Sequence, residues 1–154
     1  MTSSLDALAA TGLQTEFFQL VQTALYHADG MWGDATVDLY LRNLPTSHGY
    51  MVAAGIEDAV RAVQNLRFSA DDVNWLREQP MYAKLGGTFF ESLKHFQFQG
   101  DIWAVPEGTP VFPLAPIMRI TAPLPQVGLL EMLITQAIGC ASAVATNAAR
   151  MHAA

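Results

Sequence analysis

Residues 101–113, DIWAVPEGTPVFP, decide how the rest of the chain is arranged. Two apolar runs, 102–105 and 110–112, flank a Pro-Glu-Gly-Thr corner, and a third apolar run follows at 116–122. Short apolar runs separated by turn residues are typical of antiparallel strands that follow one another along the chain. The stretch therefore predicts three strands in a meander.

A long helix is predicted directly after these strands, over 126–154. The segment has no proline, is rich in leucine, methionine and alanine, and follows Pro125, a residue favoured in the first helical turn. Its run 132–149 carries no charge and approaches the length of a membrane span, but its polar and small residues favour burial in protein over lipid. Because it is apolar on most sides, we expect the preceding domain to cover one face and a partner to cover the rest.

The chain before residue 123 is predicted to be a small α+β domain. Apolar residues spaced by three and four predict helices at 14–29 and 51–66, and the alternating stretch 35–42 predicts a strand. Ser69 followed by Asp71 and Asp72 predicts the start of a short helix, and a Gly-Gly break precedes another at 89–96. One domain is predicted over 1–154, with the α+β part at about 13–123 and the long helix at 124–154.

Composition limits the class of partner. Hydrophobic residues make up 51% of the 154 positions and charged residues 14%, which predicts surface reserved for further protein. The net charge of −6 argues against nucleic acid and anionic membranes as partners. The single Cys140 excludes an internal disulfide and is predicted to be a packed thiol. The first residues lack a signal peptide pattern, so a cytoplasmic location is predicted.

General catalytic signatures give no assignment. The sequence has no glycine-rich phosphate loop, no metal-spaced Cys/His cluster and no nucleophile elbow. Surface or turn positions are expected for the four scattered histidines, His27, His48, His95 and His152. Glu107, in the Pro-Glu-Gly corner, is a candidate acid–base group, with a polar turn residue as the alternative.

Four segments carry a family resemblance. They are 49–59 (GYMVAAGIEDA), 66–69 (LRFS), 96–113 (FQFQGDIWAVPEGTPVFP) and 145–150 (ATNAAR). In this order they resemble the N-terminal part of nicotinate phosphoribosyltransferases. The resemblance implies an α+β fold, with the N-terminal antiparallel sheet and packed helices of a type II phosphoribosyltransferase. It also implies that the long helix leads to an α/β barrel absent from this chain.

The resembled enzymes join nicotinate to phosphoribosyl pyrophosphate and release pyrophosphate in NAD salvage. The resemblance implies Mg²⁺ and ATP as cofactors, neither bound by this segment alone, and places no catalytic or metal-binding residue within it. The implied partner is a barrel-bearing remainder or companion subunit in a homo- or hetero-oligomer.

The resemblance implies substrate-binding roles for residues near both ends of the chain. The family's first helix opens with Thr-Asp-Leu-Tyr, whose tyrosine stacks on the pyridine ring across a dimer interface; residues 15–18 are TEFF here. Phe18 thus keeps the ring without the hydroxyl, with core packing as the alternative, and Glu16 replaces the aspartate. Arg42, in an Arg-x-Leu-Pro pattern, is a candidate phosphate contact or a solvated strand end.

The family pattern Ala-Thr-Lys-Ala-Ala-Arg implies Thr146, Asn147 and Arg150 as further substrate-binding candidates. Asn147 replaces the lysine, and Arg150 is a candidate for pyrophosphate binding or structural pairing. The chain also lacks the asparagines common near Gln136 and Gly139, and His48 stands where the family often has a basic residue or asparagine. Together with Glu16 and Phe18, these departures from the family pattern put the exact substrate in doubt. A related pyridine carboxylate or amide is therefore an alternative to nicotinate.

Three hypotheses follow from the sequence. The chain is part of a nicotinate phosphoribosyltransferase-like enzyme, as a fragment, a separately encoded subunit or one piece of a nicked chain. Alternatively it is a non-catalytic dimerisation or interaction module derived from that family. Membrane association through the long helix is a third and weaker hypothesis.

Overall fold

The computed structural model describes residues 12–82 and 84–153. A short 3₁₀ turn, Gly12–Gln14, precedes the helices and strands, which are, in chain order, α1 (Phe17–Ala28), β1 (Asp34–Tyr40), β2 (Met51–Val52), α2 (Ile56–Asn65), α3 (Ala70–Glu78), α4 (Gly87–Lys94), β3 (Asp101–Ala104), β4 (Pro110–Val111), β5 (Pro116–Pro123) and α5 (Leu124–Ala153). The α+β class predicted from the sequence is confirmed.

Strand β5 is the centre of a three-stranded antiparallel sheet in the order β1-β5-β3. Its Ile120 lies between Val37 of β1 and Ile102 of β3. Strand β4 is not part of this sheet; it pairs with β2 in a separate two-stranded ladder. The predicted meander of three consecutive strands is therefore wrong, although each of the three strands exists.

The corner before β4 explains this departure. Gly108 has a left-handed φ of 80°, a conformation that glycine adopts without a steric penalty. Its N–H donates to the carbonyl of Ala53, whose own N–H donates to the carbonyl of Thr109. The corner therefore directs β4 towards β2 instead of back along β3.

The predicted helix over 51–66 starts too early. Met51 and Val52 form β2, and Gly55 has a left-handed φ of 80°, which a right-handed helix cannot include, so α2 starts at Ile56. The apolar spacing of this segment fits a helix, but the backbone at Gly55 overrides it. The capping prediction for α3 is confirmed: Ser69 Oγ accepts the Asp72 N–H, and Asp72 Oδ2 accepts the Ser69 N–H.

Helix α5 is the central element, and it contacts α1, α2, β1, β2 and β5. One stripe of its side chains is buried, at four-residue spacing: Leu130, Ile134, Ile138, Ser142 and Thr146. The opposite side, which we call the outer face of α5, is exposed and comprises Gly139, Cys140, Ala143, Val144, Asn147 and Ala148. The prediction that the domain covers one face of this helix is confirmed.

Two further properties of α5 follow from this arrangement. The packed thiol predicted for Cys140 is wrong, because the residue lies on the outer face and is exposed. By length and composition alone the helix is apolar enough to cross a membrane. Its buried stripe makes it a core helix of this domain.

Candidate substrate-binding surface

The segment 48–55 runs antiparallel along the C-terminal half of α5. The Ala54 N–H donates to Ser142 Oγ at 3.0 Å, and this hydroxyl donates back to the Ala54 carbonyl at 3.2 Å. One helical turn later the Val52 N–H donates to Thr146 Oγ1 at 2.9 Å. A further turn along, Arg150 Nη1 lies 2.7 Å from His48 Nε2. We call this series the α5 ladder; its members are Ser142, Thr146 and Arg150 with Ala54, Val52 and His48.

At Gly55 the backbone of segment 48–55 comes close to the backbone of α5. A Cβ at this position would lie 2.6 Å from the Ala137 carbonyl oxygen and 2.9 Å from the Ala141 Cβ. The backbone of the Ala-Ala-Gly-Ile-Glu-Asp segment therefore packs directly against α5, with no room for a side chain.

Glu107 joins two of the segments that carry the family resemblance. Its Oε1 accepts the backbone N–H of Glu57, in the first turn of α2, at 3.1 Å. The residue before α2 is Gly55, which has no side chain to cap the helix. Glu107 therefore supplies the cap from 50 residues away, which favours the structural alternative over an acid–base role.

The start of α1 presents an exposed aromatic ring. Phe18 is 64% exposed, so the alternative that it packs in the core of its own chain is wrong. Glu16 is the N-cap residue of α1, and its N–H donates to Gln19 Oε1 at 3.4 Å. Gln19 Nε2 in turn donates to Glu131 Oε2 of α5 at 3.2 Å. This bond fixes the beginning of α1, and with it Phe18, near the first half of α5.

Arg42 lines a groove of about 460 Å³ between β1, α1 and α5. Tyr26, Tyr40 and Glu131 line the same groove, as does Asp38. Arg119 donates two hydrogen bonds to the carboxylate of Asp38, at 2.7 and 2.8 Å. These bonds are the main reason that the pKa of Asp38 is lowered. The carboxylate of Asp38 is thus already paired, and within residues 12–82 and 84–153 Arg42 forms no ion pair.

The arrangement agrees with a known family. A family model described as the nicotinate phosphoribosyltransferase (NAPRTase) N-terminal domain matches residues 13–139. This chain belongs to the nicotinate phosphoribosyltransferase family. Glu107, Gly55 and all the residues that line the groove fall inside the matched range, whereas Ser142, Thr146 and Arg150 of the α5 ladder lie just beyond it.

Individual nicotinate phosphoribosyltransferases agree with this assignment. One from Mycobacterium tuberculosis is 33% identical over 142 residues, which are 92% of this chain and 30% of the relative. The human one is 33% identical over 146 residues, which are 94% of this chain and 27% of the relative. The chain thus spans less than a third of the length of these relatives.

Solved structures give the same fold. The crystal structure of human nicotinic acid phosphoribosyltransferase superposes with a TM-score of 0.81 at 32% identity, covering 88% of this chain and 27% of the human one. A nicotinate-nucleotide pyrophosphorylase from Pyrococcus furiosus, at a TM-score of 0.60 and 15% identity, shares the fold alone.

The structure separates the predicted substrate-binding residues of this nicotinate phosphoribosyltransferase domain into two regions. Glu16 and Phe18 flank the start of α1, which Gln19 ties to Glu131, and Arg42 lines the same groove as Glu131. Asn147 and Arg150 lie towards the other end of α5, about 18 and 22 Å of helix beyond Thr135. Asn147 is exposed on the outer face. Thr146 is buried with its hydroxyl engaged, so within this chain it ties α5 to β2, and its contact with substrate stays a prediction.

Sequence reasoning missed the structural roles of Ser142 and His48. Ser142 and Thr146 are hydroxyls one helical turn apart in an otherwise apolar stripe, and this spacing was a usable signal for backbone partners. His48 meets Arg150 across 102 residues, for which the sequence offers no local signal. Across the described part of the chain, no group of three or more His, Cys, Asp or Glu side chains is placed to hold a metal ion.

Replacing Thr146 with valine is expected to destabilise the domain by about 1–3 kcal/mol, because the nearly isosteric side chain leaves the Val52 N–H without its acceptor. Thr135→Val is the matched control: Thr135 also donates to a carbonyl four residues earlier in α5, but it is exposed. The control is expected to change stability by less than about 0.5 kcal/mol. Urea unfolding of both variants measures the difference, and equal losses would contradict the structural role of Thr146.

Proposed function

We propose that this chain is the N-terminal, substrate-contacting part of a nicotinate phosphoribosyltransferase. The whole enzyme joins nicotinate, or a related pyridine carboxylate or amide, to phosphoribosyl pyrophosphate in cytoplasmic NAD salvage. The main support is the mutual contact of the Val-Pro-Glu-Gly-Thr and Ala-Ala-Gly-Ile-Glu-Asp segments through Glu107 and Glu57, within a fold that matches the human enzyme at a TM-score of 0.81.

The reaction sets physical demands that this chain meets in part. Departure of pyrophosphate from the sugar leaves an oxocarbenium-like centre, so the enzyme must bind the leaving phosphates with cations and hold the pyridine ring in line. The exposed ring of Phe18 offers a face for stacking, and the guanidinium groups of Arg42 and Arg150 offer charge. The rest of the catalytic machinery belongs, in this proposal, to a barrel-bearing remainder or companion.

In this proposal, Mg²⁺ and ATP bind the barrel-bearing remainder or companion. The described residues provide no cluster of acids or imidazoles for a metal ion. This chain's own residues bind and orient substrate, and its outer face of α5 is covered by the barrel in a homo- or hetero-oligomer.

A non-catalytic interaction module is the second candidate function. The outer face of α5 favours it, because it is uncharged, exposed and made of small residues, which suits close packing against another protein. The two functions differ in whether a barrel-bearing companion restores turnover.

In the assembled enzyme, Phe18→Ala is expected to raise the KM for the pyridine substrate about fivefold or more, because the stacked ring is worth about 1 kcal/mol. Phe18→Tyr is expected to alter that affinity without a large loss of stability. Phe17→Ala serves as control, since Phe17 packs on Tyr82 with ring centroids 5.5 Å apart and its loss is expected to lower stability instead. An unchanged KM for the pyridine substrate in Phe18→Ala would show that Phe18 is not part of the substrate site.

Arg42→Gln and Arg150→Gln are each expected to raise the KM for phosphoribosyl pyrophosphate about tenfold, and that for nicotinate much less, because guanidinium–phosphate bonds serve one substrate only. Arg61→Gln is the control, since Arg61 is exposed and pairs with Glu57 at 3.4 Å on the surface of α2. Steady-state kinetics with each substrate varied in turn make the comparison. Equal effects on both substrates would point to structural roles for Arg42 and Arg150.

A further inference from the structure

Strand β1 is an open edge of the three-stranded sheet. Within residues 12–82 and 84–153 its only strand partner is β5. The Leu124 N–H donates to the Gly33 carbonyl, so Gly33 and the odd-numbered residues of β1 turn their backbone groups towards β5. The N–H and C=O groups of Asp34, Thr36 and Asp38 therefore point away from β5. In the described part of the chain, these groups form no turn or side-chain hydrogen bond either.

An apolar groove lies beside this edge. It has a volume of about 460 Å³, and Val37 and Leu39 of β1 line it together with side chains of α1 and α5. Val37, in the middle of the strand, is 40% exposed. Helix α1 packs on α5 and α4 and has no strand of the sheet among its main contacts. The sheet therefore stops before it reaches α1, and the groove is the gap between them.

Strand β1 lacks the features that usually block an exposed edge. Such edges are very short, or they carry lysine, proline or a bulge. β1 has seven residues with neither lysine nor proline, and its register shift lies at its end, between Leu39 and Tyr40. The charge of Asp38 is balanced by Arg119, and Asp34 lies at the first position of the strand. The middle of this edge is thus able to accept a further strand.

The occupant of this edge must supply extended backbone. Another strand offers N–H and C=O groups at the spacing of β1, and its alternate side chains would enter the groove beside Val37. A second copy of β1 is disfavoured, because pairing would bring Asp34 and Asp38 of both copies onto one sheet face in a chain of net charge −6. This chain spans less than a third of the length of its relatives, so the remainder of such an enzyme has ample chain to supply the strand.

We propose that the free edge of β1 binds an extended strand of the barrel-bearing polypeptide, which becomes the fourth strand of the sheet and covers the apolar groove. The inference rests on the proposed function and names a contact by which the two parts of the enzyme join. Arg42 lies beyond the last residue of β1, outside the paired stretch.

Amide hydrogen exchange, resolved by residue, tests the pairing directly. In the isolated chain, the Thr36 and Asp38 amides are expected to exchange at least about tenfold faster than those of Val37 and Leu39, which face β5. Adding the barrel-bearing polypeptide is expected to slow exchange at Thr36 and Asp38 about tenfold or more. Unchanged rates in the assembly overturn the proposal. Protection of these amides that rises with the concentration of the isolated chain also overturns it, because β1 then pairs with a second copy.

A proline variant tests whether the outward N–H groups contribute to binding. Thr36→Pro removes one of them and none of the hydrogen bonds to β5. It is expected to weaken binding of the barrel-bearing polypeptide about tenfold or more, while the Val37 and Leu39 amides of the isolated chain stay protected.

Two controls accompany this variant. Thr36→Val removes only the hydroxyl that meets Thr121, and Ala104→Pro makes the same backbone change on the opposite edge of the sheet, where the Ala104 N–H also points away from β5. Both are expected to bind within about twofold of the wild type. Wild-type binding by Thr36→Pro, or an equal loss in Ala104→Pro, overturns the proposal.

The exchange measurement also separates this proposal from the proposed function. If the Thr36 and Asp38 amides gain protection in an assembly without transferase activity, the proposed function fails and the strand pairing stands. If they exchange freely in an active enzyme, the strand pairing fails and the proposed function stands.

Discussion

Replacing Gly55 with alanine is expected to destabilise the domain by about 3–5 kcal/mol. Two costs combine at this position. The φ of 80° disfavours any residue with a Cβ, and the new Cβ would lie 2.6 Å from the Ala137 carbonyl oxygen. The atoms that it meets belong to the backbone and a Cβ of α5, so they cannot move aside without shifting the central helix.

Gly108→Ala provides a matched control for the first of these costs. Gly108 has the same φ of 80°, but a Cβ there would have no heavy atom within 4 Å. Its expected loss is about 1–2 kcal/mol, from the backbone conformation alone. Chemical unfolding of both variants therefore isolates the contribution of packing against α5. Similar losses for the two variants would show that the close approach at Gly55 contributes little to stability.

The chain by itself is expected to give no turnover of nicotinate and phosphoribosyl pyrophosphate, and to self-associate. The outer face of α5 leaves apolar surface in water, with Val144 66% exposed, and such surface favours association. Apart from the buried Thr146, the candidate substrate-binding residues lie on the surface in two separate regions, and the proposed reaction needs further groups from the barrel. In the proposed function the barrel covers the outer face of α5 and completes the catalytic machinery, so assaying the chain without a barrel-bearing companion predicts both outcomes.

Light scattering and a pyrophosphate-release assay, each with and without a barrel-bearing companion, measure this prediction. Val144→Glu is expected to reduce self-association and to impair activation by the companion, because it places a charge on the outer face of α5. Met81→Glu is the control, as Met81 is exposed and lies in the turn that follows α3. A monomeric, active chain would contradict the proposal.

The sequence predicted that each helix exists, because the signals for helices are local, but it placed the start of α2 five residues too early. The long helix was evident from composition and the absence of interior proline, and the start of α3 from its capping residues. The partner of β4 was not predictable, because a two-residue strand has almost no pattern and its direction depends on the backbone of Gly108. An apolar helix also does not reveal which of its faces is covered, so the exposure of Cys140 was missed.

The candidate site was predictable where single residues fit a family pattern, as with Phe18, Arg42 and Arg150. Their spatial relation was not, because it depends on contacts between residues distant in sequence. The bond from Gln19 to Glu131 spans 112 residues, and the contact between Arg150 and His48 spans 102. Only the folded chain brings these groups together.

The central position of α5 has a consequence for how the domain forms during synthesis. Every earlier element that α5 contacts leaves the ribosome before it, yet Leu130, Ile134 and Ile138 supply the middle of the core. Strand β1 likewise cannot form its sheet hydrogen bonds until its neighbour β5, some 80 residues later in the chain, has been synthesised. Closure of such distant pairs is slow, because loop entropy must be lost before the contacts form. A nascent chain of this protein therefore exposes apolar surface until α5 emerges, and chaperone binding should concentrate in that interval.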